Sequence, residues 1–373
     1  MAAGHGTRLE PLTNTMSKVM VPVANKPVLE WVFNAAQKIS KDVFIIARHD
    51  QKDVNEFFKG KAEFIYQDKP LGTANAIGLC REYVNDKFLL ISGDGLATEN
   101  ELTEFSRLDS TAIATFPVND PSSFGVVSVE NNIVKSIEEK PPAPKTNLAN
   151  CGIYVFNDSI FDAIKKTQPS KRNEYEITDS LKLLIGNGIQ NFELSNWVTI
   201  TYPWDILDAN SMILEQFGSQ ISEKAEIRPG SYIEEPVAIG DSVIGPNCYV
   251  RKHSSIGNNC KVGNAVEIKN SIIMDNSFVS HLSYVGDSIV GRNVNIGAGT
   301  VFANLRLDEK TIGMKIKGEK IDSGRKKLGA LIGDNVKLGV NVTIMPGKKI
   351  YPDVLVPACY KVEEDITEQI PLK

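Results

Sequence analysis

Two kinds of hydrophobic pattern divide the chain. Beyond about residue 227, apolar side chains recur at an interval of six: Ile244, Val250, Ile256, Val262 and Ile268, then Val290 and Ile296, then Ile332, Leu338, Ile344 and Ile350. Small or polar residues follow, as in Ile244-Gly245 and Ile256-Gly257. Six matches neither the period of about 3.6 of a helix nor the period of about 2 of an ordinary strand. It predicts a solenoid whose coils have three flat sides, with one inward Ile or Val per side: a left-handed parallel β-helix of hexapeptide repeats. The repeat lapses at about 303–331, which predicts an excursion from the coil.

Before about residue 210 the pattern alternates. Apolar, β-branched runs at 43–47, 64–67, 88–92, 111–118 and 152–156 read as strands, and helical periods lie at 28–38, 73–83 and 177–185. A hairpin is expected where 125–129 and 133–137 flank Asn131-Asn132. This alternation predicts an α/β, Rossmann-like domain with a mostly parallel sheet covered by helices. The expected organisation is an α/β domain over 1–212, a linker over 213–226 and the β-helix over 227–373.

Composition removes several function classes. The chain has 373 residues, 42% of them hydrophobic, and no apolar run approaches the ~20 residues of a spanning helix. Its first residues are Gly-rich and polar, unlike a signal peptide. Cys80, Cys151, Cys248, Cys260 and Cys359 are scattered without a CxxC pair, so neither a zinc site nor a disulfide framework is indicated. A cytoplasmic protein is expected, with no membrane partner. The net charge of −5 argues against nucleic acid as a partner. One stretch runs against that charge. Between Asn304 and Leu331, eight basic residues (Arg306, Lys310, Lys315, Lys317, Lys320, Arg325, Lys326, Lys327) face four acids. Such a cluster is either a solvated loop or a site for a polyanion such as a coenzyme's phosphates.

The N-terminal half carries six motifs in order. Ala2-Ala3-Gly4-His5-Gly6-Thr7-Arg8 is a Gly-rich turn whose backbone N–H groups suit phosphates. Lys18 lies in Ser17-Lys18-Val19-Met20-Val21-Pro22, and Gln67 precedes Gly72-Thr73-Ala74. Asp94 sits at a strand end in Gly93-Asp94-Gly95, where ligands collect in parallel sheets. Glu138-Glu139-Lys140-Pro141, Asn150-Cys151-Gly152 and Glu176-Ile177-Thr178-Asp179 follow. Together these resemble the sugar-1-phosphate nucleotidylyltransferases over essentially the whole N-terminal domain.

That resemblance implies a nucleotidyltransferase domain in which Ala3, Gly4, Gly6, Thr7, Arg8 and Lys18 bind a nucleoside triphosphate, with Arg8 and Lys18 catalytic. Gln67 and Gly72 would read the base, with Thr73 beside them. Asp94 would hold Mg²⁺, and Gly125, Glu139, Lys140 and Asn150 would contact the sugar phosphate. The implied reaction is in-line attack of a sugar-1-phosphate on the α-phosphorus of UTP or dTTP, releasing pyrophosphate. It depends on positioning and charge neutralisation. Neither the base nor gluco versus galacto configuration is fixed by these residues.

Two departures from the family pattern matter. The pattern opens with a strand of about half a dozen apolar residues ahead of Ala-Ala-Gly, whereas Met1 is the only residue there. Without a central strand the neighbouring strands should carry unpaired backbone, each buried group costing ~1–3 kcal/mol. Either the start is misplaced or another segment fills the gap. The second departure concerns the metal. The family's second ligand is an Asp two residues after a Trp, and in Trp197-Val198-Thr199 that position is Thr199, aligned by Tyr202-Pro203-Trp204. Asp205 is near but off register. A neutral hydroxyl is a poor substitute for a carboxylate, so weak or absent nucleotidyl transfer is expected.

The β-helix also carries reactive residues. Arg251 and Lys269 lie eighteen residues apart, each directly after an inward residue, Val250 or Ile268. Three sides of six make one turn, so both cations sit on one edge of adjacent coils, ~4.8 Å apart. Like charges that close repel unless they splay or an anion lies between them. Splayed surface residues and a phosphate site both satisfy the spacing. His281 follows twelve residues later in His281-Leu282-Ser283-Tyr284-Val285-Gly286-Asp287. A lone His is usually structural, but this one has a Tyr and two cations near it. An imidazole near neutral pH accepts a proton from an attacking amine. Asn295 lies in Val294-Asn295-Ile296-Gly297-Ala298-Gly299-Thr300, and Asn304 and Lys310 open the basic excursion.

This run, continuing through Ser323-Gly324-Arg325-Lys326-Lys327-Leu328-Gly329-Ala330, resembles the acetyltransferase domain of the bifunctional N-acetylglucosamine-1-phosphate uridylyltransferase/glucosamine-1-phosphate acetyltransferases, above all their archaeal form. The resemblance implies His281 as general base, with Arg251, Lys269 and Tyr284 holding the sugar phosphate. Asn295, Asn304 and Lys310 would complete that site, and Ala298, Arg325 and Lys326 would bind the coenzyme. Acetyl-CoA would be the co-substrate, lodged between neighbouring β-helices of a homotrimer, and glucosamine-1-phosphate or galactosamine-1-phosphate the acceptor.

Two rival readings remain. One is a glucose-1-phosphate thymidylyl- or uridylyltransferase with a purely structural β-helix; His281 with Tyr284 and the Arg251/Lys269 pair count against it. The other is a non-catalytic assembly or regulatory subunit, as in the translation initiation factor 2B subunits of similar architecture. Thr199 and the absent strand favour it for the N-terminal half, and the acetyl-transfer set disfavours it for the whole.

Overall fold

The computed structural model describes residues 1–84 and 87–371. The chain forms two compact units, one of Met1–Gly4 with Val28–Thr199 and the other of His5–Pro27 with Ile200–Lys373. The first is an α/β domain and the second contains a left-handed parallel β-helix.

In the first unit the strands are β1 (Phe44–Ala47), β2 (Glu63–Tyr66), β3 (Lys87–Ile91), β4 (Gly95–Ala97), β5 (Ala112–Pro117), β6 (Gly125–Glu130), β7 (Ile133–Glu139), β8 (Leu148–Asn157), β9 (Gln190–Glu193) and β10 (Trp197–Thr199). Helices α1 (Val28–Ile39), α2 (Lys52–Phe57), α3 (Thr73–Gly78), α4 (Glu99–Ser106), α5 (Ser159–Lys166) and α6 (Ile177–Lys182) lie between them. The main sheet has the order β3-β8-β5-β9-β7-β6, and β1 pairs with β2 in parallel. The β6–β7 hairpin turns through Asn131 and Asn132, both at positive φ (51° and 59°). That is the conformation a two-residue hairpin loop of matching twist requires.

The sheet is mixed, where the alternating pattern suggested a mostly parallel one. β8 runs antiparallel to both of its neighbours, β3 and β5, and β7 runs antiparallel to β9. Apolar runs report burial and carry no sign of direction. With both faces covered, β8 reads as a continuous apolar segment: Ile153, Tyr154, Val155 and Phe156 are all buried.

The first residues pair with the ends of two strands. Met1 donates its ammonium to Ile91 O and accepts from Gly93 N, each at 2.7 Å, and Ala2 N donates to Ile46 O at 2.7 Å. Met1-Ala2 thus bridges the ends of β1 and β3 as the last step of a strand parallel to β3. Ahead of this bridge lies a groove of about 490 Å³, lined by Val32, Phe33, Phe44, Ile46, Phe88 and Leu90 among others. Among the described residues no backbone hydrogen bond joins β1 to β3.

The second unit contains three parallel sheets of seven short strands each. One inward stack runs Val250, Ile268, Val285, Phe302, Ile344, Val362, paired in register and fully buried. Each such side chain contributes ~1.5–3 kcal/mol on burial. Asn residues at positive φ, such as Asn259, Asn276 and Asn293, turn the corners, a conformation Asn tolerates better than most residues. Between Ile268 and Val290 the six-residue spacing breaks because two corners are one residue short. Ile273 follows Ile268 by five, and Val290 follows Val285 by five.

The expected excursion leaves after Val301–Phe302 and returns at Leu331–Ile332, with a hairpin of Gly313–Ile316 against Glu319–Asp322. Residues 213–226 contain the end of helix α7 (Asp205–Phe217) and the strand Gln220–Ile221, already paired with Ala238–Ile239. Buried Asn210 of α7 accepts from Ala24 N (2.7 Å) and Ser255 Oγ (2.6 Å) and donates to His253 O (2.8 Å). It ties the segment His5–Pro27 to the β-helix.

Candidate active sites

In the first unit the β10–β4 pairing places Thr199 beside the candidate metal residue Asp94. Thr199 is registered opposite Gly95, the residue after Asp94, and Ser92 Oγ donates to Asp94 Oδ1 at 2.6 Å. The position expected to supply a second carboxylate is thus next to Asp94 in space and carries a hydroxyl. Among the described residues no group of three or more His, Cys, Asp and Glu gathers into a metal cluster. Mg²⁺ is commonly held by one or two carboxylates together with substrate phosphates. Asp94 meets the lower limit of that requirement.

The base-reading candidates form one cluster. Gln67 is buried, and its Nε2 donates to Gly72 O (3.1 Å) and Asn75 Oδ1 (2.9 Å), which fixes its amide. Gly72 adopts φ +110°, and a Cβ there would lie 2.5 Å from Tyr175 O, so only glycine fits. Thr73 Oγ1 accepts from Ile177 N at 3.0 Å, anchoring α6 to the start of α3. The sugar-side candidates form another. Glu139 takes Arg172 Nη2 (3.1 Å), Thr178 Oγ1 (3.2 Å) and, more loosely, Lys140 Nζ (3.6 Å). Gly125 faces Glu139 and Asn150, where a side chain would crowd both. Asn150 Nδ2 donates to Tyr154 Oη at 2.7 Å, and burial pushes that phenol's pKa well up. Arg172 and Thr178 are the additions here. Arg172 also pairs with Glu176 at 2.7 Å, and both Glu176 and Thr178 lie inside a motif already visible in the sequence. Ala2 and Ala3 are held through their carbonyls by Gln51 and Arg48.

The phosphate-loop candidates Gly6, Thr7, Arg8 and Lys18 belong to the second unit. Gly6 has φ +70°, and a Cβ on it would strike the Lys18 Cβ at 2.6 Å. That close approach sets the turn Thr7–Leu9 against Lys18–Met20. The Arg8 guanidinium lies over the Tyr202 ring, 5.7 Å from its centre. Asp205 accepts from Thr201 N (2.8 Å) and Tyr202 N (2.7 Å). Burial pushes its pKa up to about 6, against those two bonds and the nearby Lys18.

On the β-helix the candidates gather along the outer face of one sheet. Lys269 Nζ meets Asp287 Oδ2 at 3.0 Å, Asn304 Nδ2 meets the same oxygen at 2.5 Å, and Asn304 Nδ2 also donates to Tyr284 Oη at 3.0 Å. A Cβ on Gly286 would lie 2.4 Å from Tyr284 Oη, so the tyrosine ring reaches Asn304 only because that residue is glycine. Arg251 sits one coil away and binds Glu267 (3.2 Å) and, at 3.6 Å, Glu234. The like-charge problem of Arg251 and Lys269 is therefore resolved within the chain: each turns to its own carboxylate. Glu267 and Asp287 are the residues that sequence reasoning missed.

His281 ends the strand Phe278–His281 and is exposed, one corner before Tyr284. The Ala298-Gly299 corner lies against it on the next coil, with Gly299 N donating to His281 O at 3.3 Å. Asn295 is exposed on that same next coil, beside Phe278. Lys310 and Lys326 are exposed in the excursion, away from this cluster in sequence, and Arg325 pairs with Asp208 of α7 at 2.6 Å.

The nucleotidyl transferase family profile matches residues 1–216, and that of the GMPPB C-terminal domain matches residues 235–326. Bifunctional protein GlmU of Methanocaldococcus jannaschii is 38% identical over 389 residues, covering 98% of this chain and 94% of that protein. The bifunctional sugar-1-phosphate nucleotidylyltransferase/acetyltransferase of Sulfurisphaera tokodaii is 40% identical over 377 residues, covering 94% of this chain and 93% of that one. The chain belongs to this bifunctional nucleotidylyltransferase/acetyltransferase family. A solved structure of a glucose-1-phosphate thymidylyltransferase from Bacillus anthracis superposes with a TM-score of 0.51 and 33% identity, covering 57% of this chain and 92% of that one. As a bifunctional transferase the protein is an enzyme. Among the described residues it has no helix long and apolar enough to cross a membrane.

Proposed function

We propose that the β-helix transfers an acetyl group from acetyl-CoA to the amine of glucosamine-1-phosphate or galactosamine-1-phosphate. The convergence of Lys269 and Asn304 on the Asp287 carboxylate, with Asn304 also bonded to Tyr284 Oη, one corner from an exposed His281, carries this reading. Lys269 and Arg251 supply charge for the sugar phosphate, and Tyr284, Asn304, Asn295 and Lys310 supply polar contacts to the acceptor. His281 takes a proton from the amine as its nitrogen attacks the thioester carbon. The C–N bond forms, the C–S bond breaks, and the proton passes on to the coenzyme A thiolate. No metal is required for that sequence. Ala298, Arg325 and Lys326 are proposed to bind the coenzyme in a homotrimer.

The first unit is proposed to join a sugar-1-phosphate to UTP or dTTP, with Gln67, Gly72 and Thr73 at the base and Glu139, Lys140, Asn150 and Gly125 at the sugar. Ala3 and Gly4 would offer backbone N–H groups to the triphosphate, and Asp94 would hold Mg²⁺, which would supply charge at the phosphates. Thr199 opposite Gly95 favours a slow version of this reaction.

The test is thiol release from acetyl-CoA plus glucosamine-1-phosphate. His281→Ala should abolish it and leave the oligomer intact by sedimentation. Undiminished release by the variant would remove His281 from the mechanism.

A further inference from the structure

Asp287 stands at the centre of the β-helix cluster. Its side chain is 5% exposed and that of Lys269 17%. Three donors converge on its two oxygens: Lys269 Nζ (3.0 Å) and Asn304 Nδ2 (2.5 Å) on Oδ2, and Asn270 Nδ2 (2.8 Å) on Oδ1. Its backbone is equally fixed, with N donating to Lys269 O and O accepting from Gly329 N, both at 2.8 Å. It occupies a five-residue corner at φ 48°, and Asn270 occupies another on the same edge at φ 43°.

We infer that Asp287 is the positioning residue of the amino-sugar phosphate pocket, setting the Lys269 ammonium and the Asn304 amide and, through Asn304, the Tyr284 hydroxyl. This rests on the reading of Lys269, Tyr284 and Asn304 as the acceptor site. The chemistry of the donors makes it specific. An ionised carboxylate only accepts, and here it meets only donors. The second and third N–H bonds of Lys269 stay available for a phosphate while its position is set by the first. Asparagine also tolerates the left-handed backbone, so Asp287→Asn keeps the corner. It offers one acceptor instead of two and turns an NH₂ group toward another donor.

The experiment is steady-state thiol release by the full chain, varying each substrate in turn. Asp287→Asn should raise KM for glucosamine-1-phosphate by ~10–100-fold, the range for losing one charge-assisted hydrogen bond, and leave KM for acetyl-CoA within about twofold. Combined with Lys269→Gln, it should add clearly less than it costs alone, since the Lys269 contact is already lost and only the share through Asn304 remains. Equal shifts in both KM values, or full additivity, would make Asp287 a structural residue and overturn the inference. Should Asp287→Asn not fold, Lys269→Gln and Asn304→Ala decide, because these two residues share Asp287 and no bond with each other. Coupling above about threefold supports the inference and additivity overturns it. If the unaltered protein releases no thiol, the acetyl-transfer reading fails separately. Calorimetric titration with glucosamine-1-phosphate then carries the test. Weaker binding by Asp287→Asn supports the inference; equal binding, or none by either protein, overturns it.

Discussion

Replacing Asp205 by Asn isolates the cost of a buried charge beside the segment that bears Arg8 and Lys18. The Asp205 carboxylate accepts two backbone N–H groups through one oxygen, Oδ2. Burial nevertheless pushes its pKa up to about 6, against ~3.9 for an unperturbed aspartate. The folded chain therefore binds this proton more tightly than the unfolded chain. The resulting stability is fully present below about pH 4 and is lost as pH rises through about 6. About two pKa units at ~1.36 kcal/mol each amount to ~3 kcal/mol at neutral pH. Asparagine keeps an oxygen for the same two N–H groups and carries no charge. Asp205→Asn should be the more stable protein at pH 7.5, and its advantage should shrink by roughly 1.5 kcal/mol on going to pH 5. Urea titrations of both proteins at several pH values, followed by tryptophan fluorescence, measure that gap. A gap that does not change with pH would refute the burial argument, and so would an Asn variant that is less stable throughout.

Two further outcomes follow from the first unit. Thr199→Asp restores a carboxylate opposite Gly95 and should raise Mg²⁺-dependent pyrophosphate release at least ~10-fold, in keeping with a gain of one strong metal ligand; an unchanged rate would show that the second ligand does not limit the reaction. An extended segment of about six apolar residues fused ahead of Met1 should enter the groove between β1 and β3 and raise the melting temperature, by ~2–4 °C per kcal/mol gained. A melting temperature that stays put would mean the groove does not accept a strand.

The β-helix was legible because its period survives wherever corners have six residues. It was lost between Ile268 and Val290 because two corners are shorter, and Ile273, Val279 and Val285 fell out of the count. The antiparallel course of β8 was not legible, since burial on both faces gives the same apolar run in either direction. At the candidate sites, spacing alone brought Arg251 and Lys269 to one edge of adjacent coils. Their carboxylate partners were invisible: Glu267 lies two residues before Lys269 and looks like a solvated charge, and Asp287 needs a buried corner to become a centre. The signal that could have found Asp287 was the broken period itself. The Arg172–Glu139 pair joins segments 33 residues apart and has no local signature.

The short corners have a consequence for how such a protein gains and loses activity. The corners of Asn270 and Asp287 lie on the same edge of the solenoid, and the excursion that supplies Asn304 departs from that edge one coil later. At Asp287 the short corner buries a polar group against Lys269 and Asn304 without disturbing the inward stack of Ile, Val and Phe. Inserting one residue beside Asp287 would restore the regular period and keep the coil, yet dismantle the cluster of Lys269, Asp287 and Asn304 proposed as the acceptor site. Along this edge the length of a corner, together with the identity of the side chain on it, sets which polar groups are drawn in from solvent.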